Sequence, residues 1–107
     1  MNSRNSFFLT IISVIIAVFI WSCTKSTADT SSLYVPTSAN VTANATLQQL
    51  QQGRELYISN CNSCHSLYSP DSFTPTQWKS ILLTMAPRTG MATSDIQLVT
   101  KYLTKGN

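Results

Sequence analysis

Charged residues are scarce in this chain of 107 residues. They make up only 10% of the sequence, with 7 basic residues against 4 acidic ones and a net charge of +3. This balance excludes a strongly basic nucleic-acid binder, so no nucleic-acid partner is expected. The length allows one small domain at most, which excludes a barrel or a doubly wound dinucleotide fold. No strand pattern of useful length and no internal repeat is present.

The apolar residues are concentrated near the N-terminus. Residues 7–21 carry no charge and follow Arg4, as in the h-region and n-region of a signal peptide. This run of 15 residues is shorter than the roughly 20 that span a bilayer core. Ser22 and Cys23 come next and resemble a bacterial lipobox. The resemblance implies a signal peptide over residues 1–22 and a lipidated Cys23; an uncleaved anchor and a secreted, unanchored protein are the alternatives.

The lipobox resemblance implies an exported lipoprotein on the periplasmic side of a bacterial membrane, with the inner and the outer membrane both open. Residues 24–45 are rich in Ser, Thr, Ala and Asn and show no helical or strand period. They predict a flexible tether with an r.m.s. reach of roughly 25 Å. Leu33, Tyr34 and Val35 form a short apolar patch inside it, and docking of this patch on the domain is the less favoured alternative.

Three helix signals follow in residues 46–107. The first helix is predicted to end near Asn60, and its apolar residues recur at helical spacing: Leu47, Leu50, Leu56 and Tyr57. Gly53 lies on the same face, although glycine costs about 1 kcal/mol in a helix interior relative to alanine. A close helix crossing, where a side chain would not fit, explains this glycine.

Two capping boxes predict the other helices. Thr74 and Gln77 enclose a proline at the first helical position, and Pro87 ends this second helix. Ser94 and Gln97 predict the start of the third helix, and Gly106 is its predicted stop. The chain is therefore predicted to be all-α. A domain this small needs a metal, a disulfide or another staple.

One short motif carries the chemistry. Cys61, Cys64 and His65 form the sequence C-x-x-C-H, the attachment signal of c-type haem. Two thiols at this spacing reach the two vinyl groups on one haem edge, and His65 Nε2 then becomes the proximal iron ligand. A structural zinc site needs four ligands, whereas the domain offers three. A thioredoxin-like motif needs strands, and a simple disulfide leaves the histidine unexplained.

The domain resembles a small monohaem class I cytochrome c over about residues 47–104. The sequence G-R-E-L-Y at residues 53–57 is similar to the first helix of that family, and residues 96–103 are similar to its last helix. The resemblance implies an all-α fold of three or more helices around one covalent haem c. It also implies that the first and last helices cross near Gly53 and Tyr102.

A methionine usually completes the iron coordination in this family. Residues 85–90 resemble the family's M-P-x-x-G segment, and the run from Trp78 to Met85 resembles its W-x6-M spacing. The resemblance implies Met85 as the distal iron ligand, with Met91 as the alternative. An open or water-ligated sixth position is the third possibility.

The resemblance also suggests which residues surround the haem. Pro70 would pack near His65 or orient its ring, and Arg88 or Trp78 would pair with a propionate, with a solvated Arg88 as an equal alternative. Six residues are candidates for the pocket wall, with plain core packing as the alternative: Leu67, Phe73, Trp78, Ile81, Leu82 and Leu98.

A membrane-tethered electron carrier, not an enzyme, is the function that these features imply. It would pass single electrons between respiratory or dehydrogenase partners, as a free shuttle or as a subunit of an oxidoreductase complex. His/Met ligation would raise the potential. Because two propionates nearly cancel the small positive charge, docking is expected to be weak and mostly apolar. A small-ligand sensor with an open sixth position and a thiol redox protein using Cys61 and Cys64 are the alternatives.

Overall fold

The computed structural model describes residues 28–107, so the predicted signal peptide and Cys23 lie outside the described residues. Three α-helices are present in this range: α1 (Leu47–Cys61), α2 (Pro75–Met85) and α3 (Thr93–Leu103). Short 3-10 turns are present at Ser38–Asn40, Pro70–Ser72 and Ala86–Arg88. Residues 28–107 contain no β-strand, so the predicted all-α class is confirmed. In the same range, no helix combines the length and apolar character needed to cross a bilayer.

Reciprocal side-chain caps start the first two helices. The Thr46 hydroxyl accepts a hydrogen bond from the Gln49 N–H at 3.2 Å, and the Gln49 side chain accepts one from the Thr46 N–H at 3.1 Å. Thr74 and Gln77 make the same pair of bonds at the start of α2, at 3.3 and 2.9 Å. The capping box predicted for the second helix is therefore confirmed. Pro87 lies in the 3-10 turn that directly follows α2.

The start of α3 differs from the prediction. The N-cap is Ala92, which makes no side-chain cap, and its carbonyl accepts from the N–H groups of Asp95 and Ile96 at 3.0 and 3.1 Å. Ser94 lies inside the first turn, so the capping box predicted for Ser94 and Gln97 is wrong. In the turn directly before α3, the Thr89 hydroxyl accepts a hydrogen bond from the Met91 N–H at 3.2 Å.

Helices α1 and α3 cross at a glycine. A Cβ added to Gly53 would overlap the Leu98 carbonyl oxygen and lie 2.9 Å from the Tyr102 Cβ. The close crossing expected at Gly53 is therefore confirmed. The core beneath it is formed by buried residues from all three helices and from the segment before them: Leu33, Tyr57, Trp78, Leu82, Val99, Tyr102 and Leu103.

The last helix ends in a Schellman motif. The Gly106 N–H donates to the Lys101 carbonyl at 2.8 Å, and the Lys105 N–H donates to the Tyr102 carbonyl at 3.1 Å. Lys105 itself takes the first left-handed position, with φ 53°, and Gly106 follows with φ 78°. Glycine usually occupies the first left-handed position after a helix. Gly106, the predicted stop, therefore lies one residue beyond that position. A Cβ on Gly106 would overlap the Thr42 hydroxyl, so this second glycine serves packing as well.

Residues 30–45, which we call the N-terminal arm, pack on the helices. Leu33 is 5% exposed and belongs to the core. The Tyr34 and Tyr102 rings stack at 4.7 Å, and each hydroxyl donates to the other residue's carbonyl at 3.0 Å. Arg54 Nε also donates to the Tyr34 carbonyl, at 3.2 Å. The flexible tether expected through residue 45 therefore does not describe the arm. In a domain with a modest core, burying one more leucine is worth about 2 kcal/mol.

Candidate functional site

The C-x-x-C-H motif begins at the C-terminal end of α1. Cys61 is the last residue of the helix and is half-buried, whereas Cys64 and His65 are exposed in the turn that follows. Both cysteines are free thiols. Burial raises the pKa of the Cys61 thiol. Its position at the negative end of the α1 dipole disfavours the thiolate in the same direction.

The imidazole of His65 is oriented by the backbone. Its Nδ1 lies 2.7 Å from the Ser66 carbonyl oxygen. Because a carbonyl only accepts hydrogen bonds, this contact places the proton on Nδ1 and leaves the Nε2 lone pair free. The His65 ring also lies 5.4 Å from the Tyr68 ring, tilted by 55°. The tautomer is therefore the one that binds a metal through Nε2.

A hydroxyl from α1 clamps the loop after the motif. Tyr57 is 4% exposed; its hydroxyl donates to the Tyr68 carbonyl at 3.0 Å and accepts from the Tyr68 N–H at 3.1 Å. This pair of bonds fixes the loop three residues beyond His65. The helical spacing of Tyr57 predicts helix packing and does not predict this second role. Its position four residues before Cys61, on the buried face of α1, is the signal in the sequence that points to the loop.

An apolar region adjoins Cys61 where α2, the following 3-10 turn and α3 meet. Cys61 and seven other residues line a small cavity of about 20 Å³. The seven others are Leu82, Met85, Ala86, Thr89, Met91, Ile96 and Val99. A larger open cleft of about 530 Å³ shares four of these residues: Leu82, Ala86, Met91 and Ile96. Its volume falls within the range of about 300–1,000 Å³ that is typical of ligand and cofactor sites.

The two methionines predicted as ligands both border this small cavity. Met85 is 41% exposed, and Met91 is half-buried and packs against the core. Cys61 is the motif residue that shares the cavity with them, while Cys64 and His65 are not among its lining residues. Cys61 thus borders the same cavity as both methionines, whereas Cys64 and His65 are exposed at the surface.

The predicted wall residues fall into three groups. Leu82 lines both the small cavity and the larger cleft. Leu98 lines a separate groove together with Glu55 and Asp95. The others belong to the core or pack against it: Leu67, Phe73, Trp78 and Ile81.

Trp78 and Pro70 are paired with each other. The Trp78 indole N–H donates to the Pro70 carbonyl at 2.8 Å, and Trp78 is 3% exposed. Since an indole has a single donor, this bond leaves none for a propionate. Arg88 is exposed in the turn after α2 and keeps its donors toward solvent. Of the two predicted propionate partners, Arg88 is therefore the one with donors to offer.

The donor set fits a covalently attached haem better than a zinc ion. Within residues 28–107, no three His, Cys, Asp or Glu side chains gather into a site for a metal ion. Two free thiols and a histidine with its Nε2 lone pair free match the chemistry of haem attachment.

Comparison with known proteins gives one similarity. The chain is similar to the cytochrome c-type protein TorY of Haemophilus influenzae, with 32% identity over 53 residues. The matched segment covers 50% of this chain and 14% of that protein. No protein-family model matches the chain, and no solved structure matches it. The similarity supports a relationship to c-type cytochromes over half of the chain.

Proposed function

We propose that this chain is a c-type cytochrome that carries single electrons and performs no substrate chemistry of its own. The C-x-x-C-H motif, with two free thiols and a backbone-oriented His65, carries the proposal, and the similarity to a cytochrome c-type protein supports it. Cys61 and Cys64 would hold one haem c through thioether bonds. His65 Nε2 would bind the iron, with Met85 as the sixth ligand and Met91 as the alternative. When bound, haem c supplies a one-electron ferrous/ferric couple.

The surroundings of His65 prepare it for this role. The Ser66 carbonyl holds the Nδ1 proton and orients the ring, so binding through Nε2 requires no change of tautomer. The clamp from Tyr57 to Tyr68 limits movement of the loop that carries the ligand. Together these bonds lower the entropy cost of holding a ligand in place.

The apolar residues near Cys61 would influence the redox properties. Leu82, Ile96 and Val99 line the small cavity that Cys61 borders. A dry, weakly polar surrounding disfavours the more highly charged oxidised iron and raises the reduction potential. This environment suits an electron carrier.

The geometry of Cys61 disfavours the thiol redox alternative. A reactive pair of this kind relies on a lowered thiol pKa, which a helix N-terminus or a nearby cation supplies. Burial raises the pKa of Cys61, and the thiol lies at the opposite end of its helix. This shift is opposite in direction to the one that a reactive thiol pair requires.

We also propose that Cys23 is lipidated and that the domain lies on the periplasmic side of a bacterial membrane. The apolar run at residues 7–21 and the small residue before Cys23 support this placement. The partners would be redox proteins at the same membrane, either met by a free shuttle or joined in an oxidoreductase complex.

Spectra of the full chain, expressed with haem-maturation machinery, test the proposal. Covalent haem should appear on denaturing gels, and the reduced protein should show sharp bands that carbon monoxide does not shift. Cys61→Ala and Cys64→Ala should each reduce haem attachment. Cys23→Ser is the matched control. This variant should keep the haem but should no longer be found in the membrane fraction. A colourless protein with two titratable thiols would refute the cytochrome, and a spectrum shifted by carbon monoxide would favour the ligand sensor.

A further inference from the structure

The N-terminal arm packs against the C-terminal end of the domain. The Tyr34 ring stacks on the Tyr102 ring at 4.7 Å, and each hydroxyl donates to the carbonyl of the other residue. Farther along the arm, the Thr42 hydroxyl donates to the Gly106 carbonyl at 3.2 Å. The last turn of α3 and the residues directly after it therefore hold the arm at two places.

Lys105 joins this end of the domain to residues 66–74, which we call the motif loop because they follow the C-x-x-C-H motif. The Lys105 ammonium lies 5.5 Å from the centroid of the Tyr34 ring, within the distance of a cation–π contact. The same ammonium forms an ion pair with Asp71, in the 3-10 turn of the motif loop. One side chain thus contacts both the arm and the motif loop.

The backbone of Lys105 adopts a conformation that lysine disfavours. Its φ of 53° lies in the left-handed region, where a residue with a Cβ is less stable than glycine. A residue keeps such a conformation when the contacts around it offset the cost. The ion pair with Asp71 and the contact with the Tyr34 ring are contacts that glycine could not make. They give a physical reason for a lysine at this position.

A buried route connects the same two segments. Beneath Tyr34, the Tyr102 ring lies 6.1 Å from the Tyr57 ring. The Tyr57 hydroxyl is bonded to both the N–H and the carbonyl of Tyr68, in the motif loop. Chains of packed side chains and hydrogen bonds of this kind carry energetic coupling between distant segments. The arm and the motif loop are therefore connected inside the domain as well as at its surface.

We propose that the docked N-terminal arm restrains the motif loop, and that Lys105 couples the two at the surface. When the arm leaves α3, Lys105 loses its contact with the Tyr34 ring, and its hold on Asp71 weakens. Because coupling between two sites is reciprocal, a change in the motif loop alters the docking of the arm by the same factor. His65 directly precedes the motif loop, so movement of the arm changes the freedom of His65. This coupling does not require attached haem.

Amide hydrogen exchange of the full chain, resolved by residue, measures the two segments separately. The Leu33 N–H donates to the Thr30 carbonyl at 3.0 Å and serves as the arm reporter. The Ser72 N–H donates to the Ser69 carbonyl at 2.9 Å and serves as the loop reporter. Each reporter is read in variants that change the other segment, so a response shows coupling and not a local effect of the substitution.

Three variants test the coupling. Asp71→Asn should speed exchange at the arm reporter by about 1.5- to 5-fold, because the ion pair is exposed and such pairs contribute little. Lys105→Gln should speed exchange at both reporters by a similar factor. Tyr34→Leu should speed exchange at the loop reporter by about 2- to 30-fold, the range for coupling through packed networks. In the double variant of Asp71 and Tyr34, the combined effect should be smaller than the product of the single effects.

Lys79→Gln is the matched control, since it removes the same charge from an exposed position in α2 and should leave both reporters unchanged. The amide of Leu82, in α2, reports opening of the whole domain. Equal acceleration there would show general destabilisation and overturn the proposal. An unchanged arm reporter in Asp71→Asn, or effects that multiply in the double variant, would also overturn it. Coupling in a protein without haem refutes only the proposed function, whereas a haem-loaded protein without coupling refutes only this inference.

Discussion

Replacing Gly53 by alanine tests the helix crossing that supports the whole domain. The added Cβ would overlap the Leu98 carbonyl oxygen and lie 2.8 Å from the carbonyl carbon. Carbon atoms in ordinary contact are about 3.5–4.0 Å apart, so α1 and α3 must separate by roughly 1 Å. The obstacle is backbone, so no change of side-chain rotamer relieves it.

Two opposing terms set the size of the effect. Alanine is favoured over glycine in a helix interior by about 1 kcal/mol. Overpacking costs about 1–3 kcal/mol, and a backbone clash between two helices belongs at the upper end of that range. The expected net loss in the free energy of unfolding is therefore about 2 kcal/mol. In a domain of this size, that loss lowers the melting temperature by roughly 8–16 °C.

Thermal unfolding of the full chain, followed by helical circular dichroism, measures this loss. Wild type and variant are compared in the same haem-loaded state, because covalent attachment changes the baseline stability. Gln52→Ala is the control, since Gln52 is an exposed neighbour in α1 and its replacement should change stability by less than about 0.5 kcal/mol. A Gly53→Ala protein as stable as wild type would show that the helices do not cross this closely.

Three further changes probe other parts of the fold. Leu33→Ala should lower the free energy of unfolding in urea by about 2–5 kcal/mol, because it empties a core position. Val35→Ala is the exposed control, and an equal effect from it would contradict the packed arm. Burial raises the pKa of Tyr34 and of Tyr57 to about 12, so the unfolded chain releases these protons first and stability should fall between pH 10 and pH 12. Stability that stays constant from pH 9 to 11.5, or a Tyr34→Phe variant with an unchanged slope, would oppose this. Trp78→Phe leaves the buried Pro70 carbonyl without its donor and should lower the free energy of unfolding by about 1–3 kcal/mol. A loss below about 0.5 kcal/mol in urea unfolding would exclude a buried hydrogen bond.

Local sequence signals predicted those parts of the fold that local bonds determine. The box formed by Thr74 and Gln77 is visible in the sequence because both partners lie within one turn. The similar pattern at Ser94 was misleading, because α3 begins at Thr93 with Ala92 as its N-cap, and Ser94 therefore lies inside the first turn. The packing of the N-terminal arm depends on contacts with residues far along the chain, which the sequence does not show. The polar composition of the arm predicts a tether, but Leu33 lies in the core and the Tyr34 ring stacks on Tyr102 of α3.

The candidate site divides in the same way. The motif from Cys61 to His65 is contiguous, so its chemistry can be read from the sequence alone. The cavity beside Cys61 brings together residues from α2, a 3-10 turn and α3, and only tertiary packing shows that Met85 and Met91 share it. Sequence spacing favours Met85 over Met91 as the predicted iron ligand, but it does not show that both residues line one cavity.

The packed arm also limits how far the domain could extend from the lipid that we propose on Cys23. Leu33 lies ten positions after Cys23, and a chain of ten residues spans no more than about 35 Å. A tether running to residue 45 would have allowed roughly 75 Å. With the proposed lipid on Cys23, the domain works in a shallow layer above the bilayer. Suitable partners must then present their redox groups low over the lipid, within that layer.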